Sequence, residues 1–457
     1  MPAADLVLAA VTAVLLIPLG RAVTGSEAAG WASALIFLLL GNPALGRLGG
    51  VRVRSQAEVF IALFITAALL LVARLRPGAE ARSRRSRFAA LGAGLLLGLA
   101  IVFKYNAAVF AVPLAFGVFV LDADSRRPPA AAWLRNLAGL AAGALVIPLA
   151  TVAHFAYYGI FDDFLRATIT YNVRYSGETY HGPLHAVSYL LTFPIGYARV
   201  DPLWLVGGAG CAVLLLFGLR SRALWLPVAW VAAACLSIAI NGSRGLPQYF
   251  VQAGPAFALA AGCAAALSWQ RAGRTVRIAV LLLIAIAVWR VGDFRRGWDY
   301  TTYDLAGVLG RLDRDTYLAR YGRADSGDKY SALAVHQLAD YLRAHSSDGD
   351  RVFVFGFSPW AYVGSDRVSA SRFFWSRPVI VGFEAGEPGY GVRGLLDDLQ
   401  TAPPKIVVLQ HRDWDPDGLN SDEFWRTQPS LVEWLNAHYV KATDLHNFEI
   451  WTRQGSS

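Results

Sequence analysis

Apolar runs of membrane-spanning length follow one another from residue 4 to residue 291, and then they stop. They cover 4–23, 27–46, 55–75, 88–104, 106–121, 136–157, 202–219, 223–240, 248–267 and 275–291. A hydrocarbon layer about 30 Å thick takes roughly 20 apolar residues of helix. Lipid offers a bare peptide group no partner, so these runs are expected to be helices. The stretch 184–199 is short and contains Pro194, which suits an interfacial or re-entrant segment better than another span. Beyond 291 the pattern changes. Lys329–His345 has helical spacing, Arg351–Phe357 and Lys405–Gln410 read as buried strands, Gly391–Thr401 and Leu431–His438 as helices, and Phe448–Arg453 as a last strand. The pattern therefore predicts a multi-pass α-helical membrane protein of about ten spans over 1–291, with a C-terminal soluble α/β domain over 292–457.

Charge adds an orientation. The 457 residues are 16% charged, against about 25% in a soluble protein. The net charge of +9 does not point to nucleic acid, because Arg clusters in short links between spans, as cytoplasmic links do. Arg74–Arg87 is the most basic link and is placed in the cytoplasm. Asp122–Arg135, Leu219–Arg222 and Gln270–Arg277 then fall on the same side, and all carry Arg. Lys104–Asn106, Tyr158–Asp201, Asn241–Pro247 and everything after Trp289 fall outside. The count leaves the N-terminus outside, which gives the expectation that one helix and its outer loop are missing. Ala4–Val23 has no basic stretch before it and reads as a retained helix. Cys211, Cys235 and Cys263 lie in apolar runs, with no disulfide framework or thiolate metal site.

Some polar residues do not suit lipid. Lys104 closes one run and opens the next; it either snorkels to the interface or faces an anion such as a lipid phosphate. Glu58 opens the third run. It either complements the helix dipole or binds a metal or acts as a base. The outer link holds Asp162, Asp163, Asn172, Arg174 and Tyr175 among aromatic residues, a mixture that suits an interfacial helix, structural or substrate-contacting. Arg244 and Tyr249 fall on the same side; Arg can grip a phosphate through two bonds, or simply lie at the surface. The soluble tail offers less chemistry. Phe355-Gly356-Phe357 lacks the further glycines of a dinucleotide fingerprint. Asp413–Gly418 resembles the start of a calcium loop, but Pro416 interrupts it and Phe424 replaces the closing Glu. His336, His345 and His411 show no metal-ligand spacing.

Several of these motifs recur in one order in a known family. They are Gln56 and Glu58, the Gly-rich run Gly92–Lys104 with Pro113, and Asp162-Asp163-Phe164 with Tyr171-Asn172 and Tyr175. Tyr249-Phe250 with Pro255, and Asp350–Gly356 with Ser369–Arg372, follow. On these residues the chain resembles the bacterial membrane glycosyltransferases of the C-type fold, in the dolichyl-phosphate-mannose protein mannosyltransferase-like group (family 39). The resemblance implies transfer of a glycosyl unit from a polyprenyl-phosphate sugar to a glycan, lipid or protein acceptor. It implies a bacterial inner membrane, with chemistry on the outer face beside the C-terminal domain. Glu58, Asp162 and Asp163 are the candidate catalytic acids. Lys104, Arg244 and Tyr249 are the candidates for the donor phosphate, and Asn172, Arg174 and Tyr175 for the substrate loop. A divalent cation is the candidate cofactor, with its ligands unknown. The family's base lies in a first outer loop that has no counterpart here, and Asp5 does not match it; Gln248 stands where the family often has His. Weak transfer by this chain is the matching expectation. A non-catalytic lipid-binding relative or a transporter is the alternative, although transporters often show internal repeats and midplane sites, and neither is seen.

Overall fold

A computed structural model describes residues 2–41, 56–75, 84–121, 130–177, 179–218, 221–242, 247–271, 273–290, 294–322, 331–413 and 419–455. The chain forms two compact units, Met1–Leu305 and Ala306–Ser457.

The first unit is helical. It runs α1 (Pro2–Thr24), α2 (Glu27–Leu40), α3 (Ala57–Ala73) and α4 (Arg84–Phe103), then a 3-10 helix, Tyr105–Phe110, that leads into α5 (Ala111–Val120). Next come α6 (Ala130–Tyr157), α7 (Phe161–Leu165), a π turn at Arg166–Thr170, α8 (Tyr171–Gly177), α9 (Pro183–Ala198) and α10 (Pro202–Gly218). It ends with α11 (Trp225–Ile240), a 3-10 helix at Pro247–Ala253, α12 (Gly254–Arg271), α13 (Arg274–Arg290) and most of α14 (Phe294–Val308).

Among the described residues, five helical stretches are long and apolar enough to cross a membrane. These are Ala4–Thr24, Ser86–Phe103, Ala130–Tyr157, Arg222–Ile240 and Gln248–Gln270. The pair α9 and α10 makes a sixth if taken as one span, but it is bent by 113°. The expected ten spans are therefore not all met there. α2, α3 and the Tyr105–Val120 piece are apolar but shorter. The 14 residues of α2 reach only about 21 Å at 1.5 Å per residue. At the α9–α10 bend, Asp201 is buried and its Oδ1 accepts from the backbone N–H groups of Leu203 (2.8 Å) and Trp204 (3.3 Å), which starts α10.

Backbone contact sets the helix spacing. A Cβ on Gly94 in α4 would lie 2.1 Å from the Leu140 carbonyl oxygen, and one on Gly143 in α6 would lie 2.2 Å from that of Leu91. In lipid, helices gain little from apolar burial and associate where small residues let backbones touch. Around these contacts a continuous apolar core includes Leu16, Leu19, Ile61, Ile65, Leu97, Phe110, Trp204 and Trp230.

The second unit adds α15 (Arg314–Ala319), α16 (Ala332–Ala344), β1 (Arg351–Phe355), α17 (Trp360–Ser365), β2 (Val368–Ser369) and α18 (Arg377–Ile380). It continues with α19 (Gly391–Thr401), β3 (Ile406–Gln410), α20 (Ser421–Arg426), α21 (Pro429–His438), β4 (Tyr439–Leu445) and β5 (Phe448–Arg453). The strand order is β2-β1-β3-β5-β4. β1 pairs parallel with β2 and β3, and β5 pairs antiparallel with β3 and β4. β1 and β3 are unbroken apolar runs because both faces are covered. Phe353, Phe355, Val407 and Leu409 pack on one face with Leu395, Leu399, Trp425 and Leu435. Val352, Val354, Ile406 and Val408 pack on the other with Ala334, Leu338 and Leu342 of α16. Gly356 ends β1 where a Cβ would meet Gln410 Oε1 at 2.4 Å. That oxygen accepts from Phe357 N and Ser358 Oγ, both at 2.8 Å, and ties the ends of β1 and β3 together.

Candidate functional site

The polar centre of the first unit is built where four elements end together. α4 stops at Phe103, and Lys104 has an extended backbone (φ −155°, ψ 126°) that opens the following 3-10 helix. α3 begins one residue after Gln56 and carries Glu58 in its first turn, where a carboxylate complements the helix dipole. An aromatic clasp aligns the two ends: Phe103 stacks on Phe60, with centroids 5.0 Å apart, and meets Phe64 edge-on at 5.7 Å. Lys104 Nζ consequently forms an ion pair with Glu58 Oε1. Glu58 is 1% exposed and Lys104 24%. The same Nζ sits 4.1 Å above the centre of the Tyr249 ring, a cation–π contact that strengthens when water is excluded.

A chain of neutral hydrogen bonds continues from this triad. Asn106 Nδ2 donates to both the Ser237 carbonyl (2.9 Å) and Ser237 Oγ (3.0 Å). Ser237 Oγ donates to Gln252 Oε1 at 3.2 Å, and Gln252 Nε2 donates to the Tyr249 carbonyl at 3.1 Å. Asn106, Ser237 and Gln252 are all buried. Two further groups dock at the end of α11 and the turn after it. Tyr180 donates its hydroxyl proton to the Ala239 carbonyl, and Thr179 Oγ1 donates to that of Gly242. Asp5, also buried, opens α1. One turn on, Leu8 packs with Val59 and Val251, so α1 begins beside the turn that carries Glu58.

Direct contacts thus join Glu58, Lys104 and Tyr249 from the set expected from sequence. Asp162 and Asp163 lie exposed on α7. Asn172 sits on α8 and donates from Nδ2 to the Thr168 carbonyl (2.7 Å) across the π turn, and Arg174 is exposed on the same helix. Tyr175 belongs to α8. Arg244 lies outside the described residues. Asn106, Ser237, Gln252 and Asn241 were not anticipated. Their signal was a neutral polar residue near the end of an apolar run.

The second unit holds a separate charged cluster. His411 Nδ1 lies 2.7 Å from Asp422 Oδ2, and Arg426 pairs with Asp422 and, at 2.6 Å, with Glu449. The hydrogen bond to Asp422 raises the His411 pKa. Burial pushes Asp422 upward, but its bonds from His411 and Arg426 outweigh this and leave it low. Trp414–Gly418 of the calcium-like stretch lies outside the described residues. Asp413 is fully buried and accepts from Ser421 N (2.9 Å) and Oγ (2.6 Å), so its carboxylate anchors α20. Burial raises the Asp413 pKa. Among the described residues no group of three His, Cys, Asp or Glu side chains is arranged to hold a metal.

No family profile matches the chain, and no curated protein matches it significantly. Solved structures do. The Archaeoglobus fulgidus oligosaccharyltransferase, crystallised in complex with Zn and sulfate, aligns with a TM-score of 0.50 at 12% identity, over 90% of this chain. The chain spans 56% of that protein's length. The apo form of the same enzyme aligns with a TM-score of 0.45, over 90% of this chain and 58% of its own, at 12% identity. The first alignment shows a fold similar to that of this oligosaccharyltransferase. It does not single out the dolichyl-phosphate-mannose protein mannosyltransferase-like group.

Proposed function

We propose that this protein transfers a glycosyl unit from a polyprenyl-phosphate sugar to a hydroxyl-bearing acceptor at the outer face of a bacterial inner membrane. The observation that carries this reading is the Glu58–Lys104–Tyr249 cluster, an ion pair with a buried carboxylate in a largely apolar helical unit. Charges at such positions are costly and mark function. The fold likeness to a glycosyltransferase supports the reaction class. The order of motifs from Gln56 to Arg372 supports the family 39 group. The Arg-bearing links support a C-terminal unit on the outer side.

In the proposed reaction the acceptor oxygen forms a bond to the anomeric carbon from the face opposite the phosphate. The carbon–oxygen bond to phosphate breaks, and the phosphate leaves with the electron pair. Lys104 neutralises that leaving charge in a low-dielectric site, where a fixed cation is most effective. The donor phosphate replaces Glu58 as the partner of Lys104, and the freed carboxylate takes the proton from the acceptor hydroxyl, which must come within about 3 Å. Tyr249 holds the ammonium in place from below. Exclusion of water favours transfer over hydrolysis. The carboxylate described here is already paired with an ammonium, which is not the donor set of a divalent-cation site.

The test is release of polyprenyl phosphate from a labelled glycosyl donor, by the purified chain with a cell-envelope acceptor fraction. Release is expected to fall about a hundredfold in Lys104→Ala, the scale seen when one transition-state charge partner is removed, and to fall comparably in Glu58→Gln. Release that both variants preserve at full rate overturns the assignment.

A further inference from the structure

We infer that Asn106 and Asn241 form a neutral subsite that takes a hydroxyl group of the sugar carried on the donor phosphate. This rests on the donor reading of Lys104. Asn106 is 2% exposed and Asn241 6%. Among the described residues, Asn106 Oδ1 and Asn241 Nδ2 are buried without a hydrogen-bond partner. One is an acceptor and the other a donor. A buried polar atom left unpaired is costly and calls for an explanation.

The two residues bond to the same carbonyl. Asn106 Nδ2 and the backbone N–H of Asn241 both donate to the Ser237 carbonyl, at 2.9 and 3.2 Å. The Asn106 side chain is not free to turn its oxygen elsewhere. Its nitrogen is held by the Ser237 carbonyl and hydroxyl, and that hydroxyl is held by Gln252. The acceptor atom is therefore fixed in advance, as a recognition group must be.

The chemistry of the ligand follows from what is unpaired. Asn106 Oδ1 and Asn241 Nδ2 bring no charge, so a charged group would lose hydration there without a counter-ion. A hydroxyl both donates and accepts, and so matches an amide oxygen and an amide N–H together. Asn106 follows Lys104 by two residues, and Ser237, which holds it, is tied through Gln252 to the carbonyl of Tyr249, whose ring carries the Lys104 ammonium. A ligand with its anion at Lys104 thus has its neighbouring neutral groups in range of the amides. A glycosyl phosphate joins these two chemistries in one molecule.

The experiment measures binding of four lipids to the purified chain in detergent: a polyprenyl phosphate, and the same lipid carrying glucose, mannose or galactose on its phosphate. Wild type should bind at least one glycosylated lipid more tightly than the bare phosphate. Asn106→Leu and Asn241→Leu should each weaken that lipid at least tenfold and leave the bare lipid within twofold. Lys104→Ala should weaken both. If Asn106→Leu fails to fold, Asn106→Ala and Asn241→Leu carry the same comparison. Equal loss of both lipids would make the amides structural, and undiminished binding of the glycosylated lipid would assign them to a buried water or to the acceptor; either overturns the inference alone. Wild type that binds neither lipid overturns the donor reading and the inference with it, before any substitution is made.

Discussion

The two units of this chain hold themselves together by opposite means. In the helical unit backbones touch: Gly94 and Gly143 leave no room for a Cβ between α4 and α6, and the carboxylate of the Glu58–Lys104 ion pair is buried. In the C-terminal unit side chains interdigitate on both faces of a sheet, with Phe353, Phe355, Leu409 and Trp425 on one of them. Its ion pairs, such as Arg372 with Asp398 and Lys441 with Asp444, reach the surface. The difference is one of solvent. Water drives apolar side chains inward, whereas lipid gives no such drive and rewards close backbone fit. A buried charge pair in the lipid-facing unit therefore calls for a functional reason, and surface pairs in the other do not.

The largest expected effect comes from breaking that pair on one side. Lys104→Ala leaves Glu58 buried without its counter-charge and should cost about 3–5 kcal/mol, read as a fall in the unfolding midpoint in detergent. Replacing both, Glu58→Leu with Lys104→Leu, should restore most of that stability and still abolish phosphate binding. A double variant that stays unstable would show that the pair is kept for folding. In the sheet, Leu409→Ala should cost about 3 kcal/mol through a cavity, with lipid binding by the helical unit unchanged. Gly143→Ala should cost about 2 kcal/mol by forcing α4 from α6, whereas Gly196→Ala, with nothing within 4 Å, should be neutral. Equal effects at the two glycines would remove the backbone-contact account.

The smallest effect is electrostatic. The bond to Asp422 raises the folded-state pKa of His411 above its ordinary 6.5, so its contribution is complete below the unfolded value and is lost as pH rises through the folded one. Unfolding of the C-terminal unit should therefore be easier by under about 1 kcal/mol at pH 8.5 than at pH 6. His411→Gln should flatten that difference, and a slope that persists would place the titration elsewhere.

Much of the second unit is legible in the chain, because α16, β1, α19, β3, α21 and β5 bury continuous or periodic apolar faces. β4 is not, since its residues after Tyr439 are mostly exposed and include Lys441 and Asp444; an edge strand has little pattern to show. β2 is two residues long. In the helical unit the runs are visible but their lengths mislead: helix ends fall where Gly41 and Lys104 interrupt the backbone, which hydropathy does not register. Glu58 and Lys104 stand out because charge in an apolar run is rare. Asn106, Ser237 and Gln252 do not, because neutral polar residues in helices usually bond within their own turn, and nothing local signals that 131 residues separate Asn106 from its partner.

Glu58 and Lys104 are 46 residues apart, on successive helices. During synthesis α3 emerges first, carrying an unmatched carboxylate toward the bilayer. Charged residues raise the insertion cost of a lone helix by about 2.5–3.5 kcal/mol at its centre and by less near its ends. That penalty lifts once α4 arrives with its ammonium. The ion pair thus also sets an order of assembly: the carboxylate of α3 is matched once α4 and Lys104 have followed it, and the site is complete only when Tyr249 joins them.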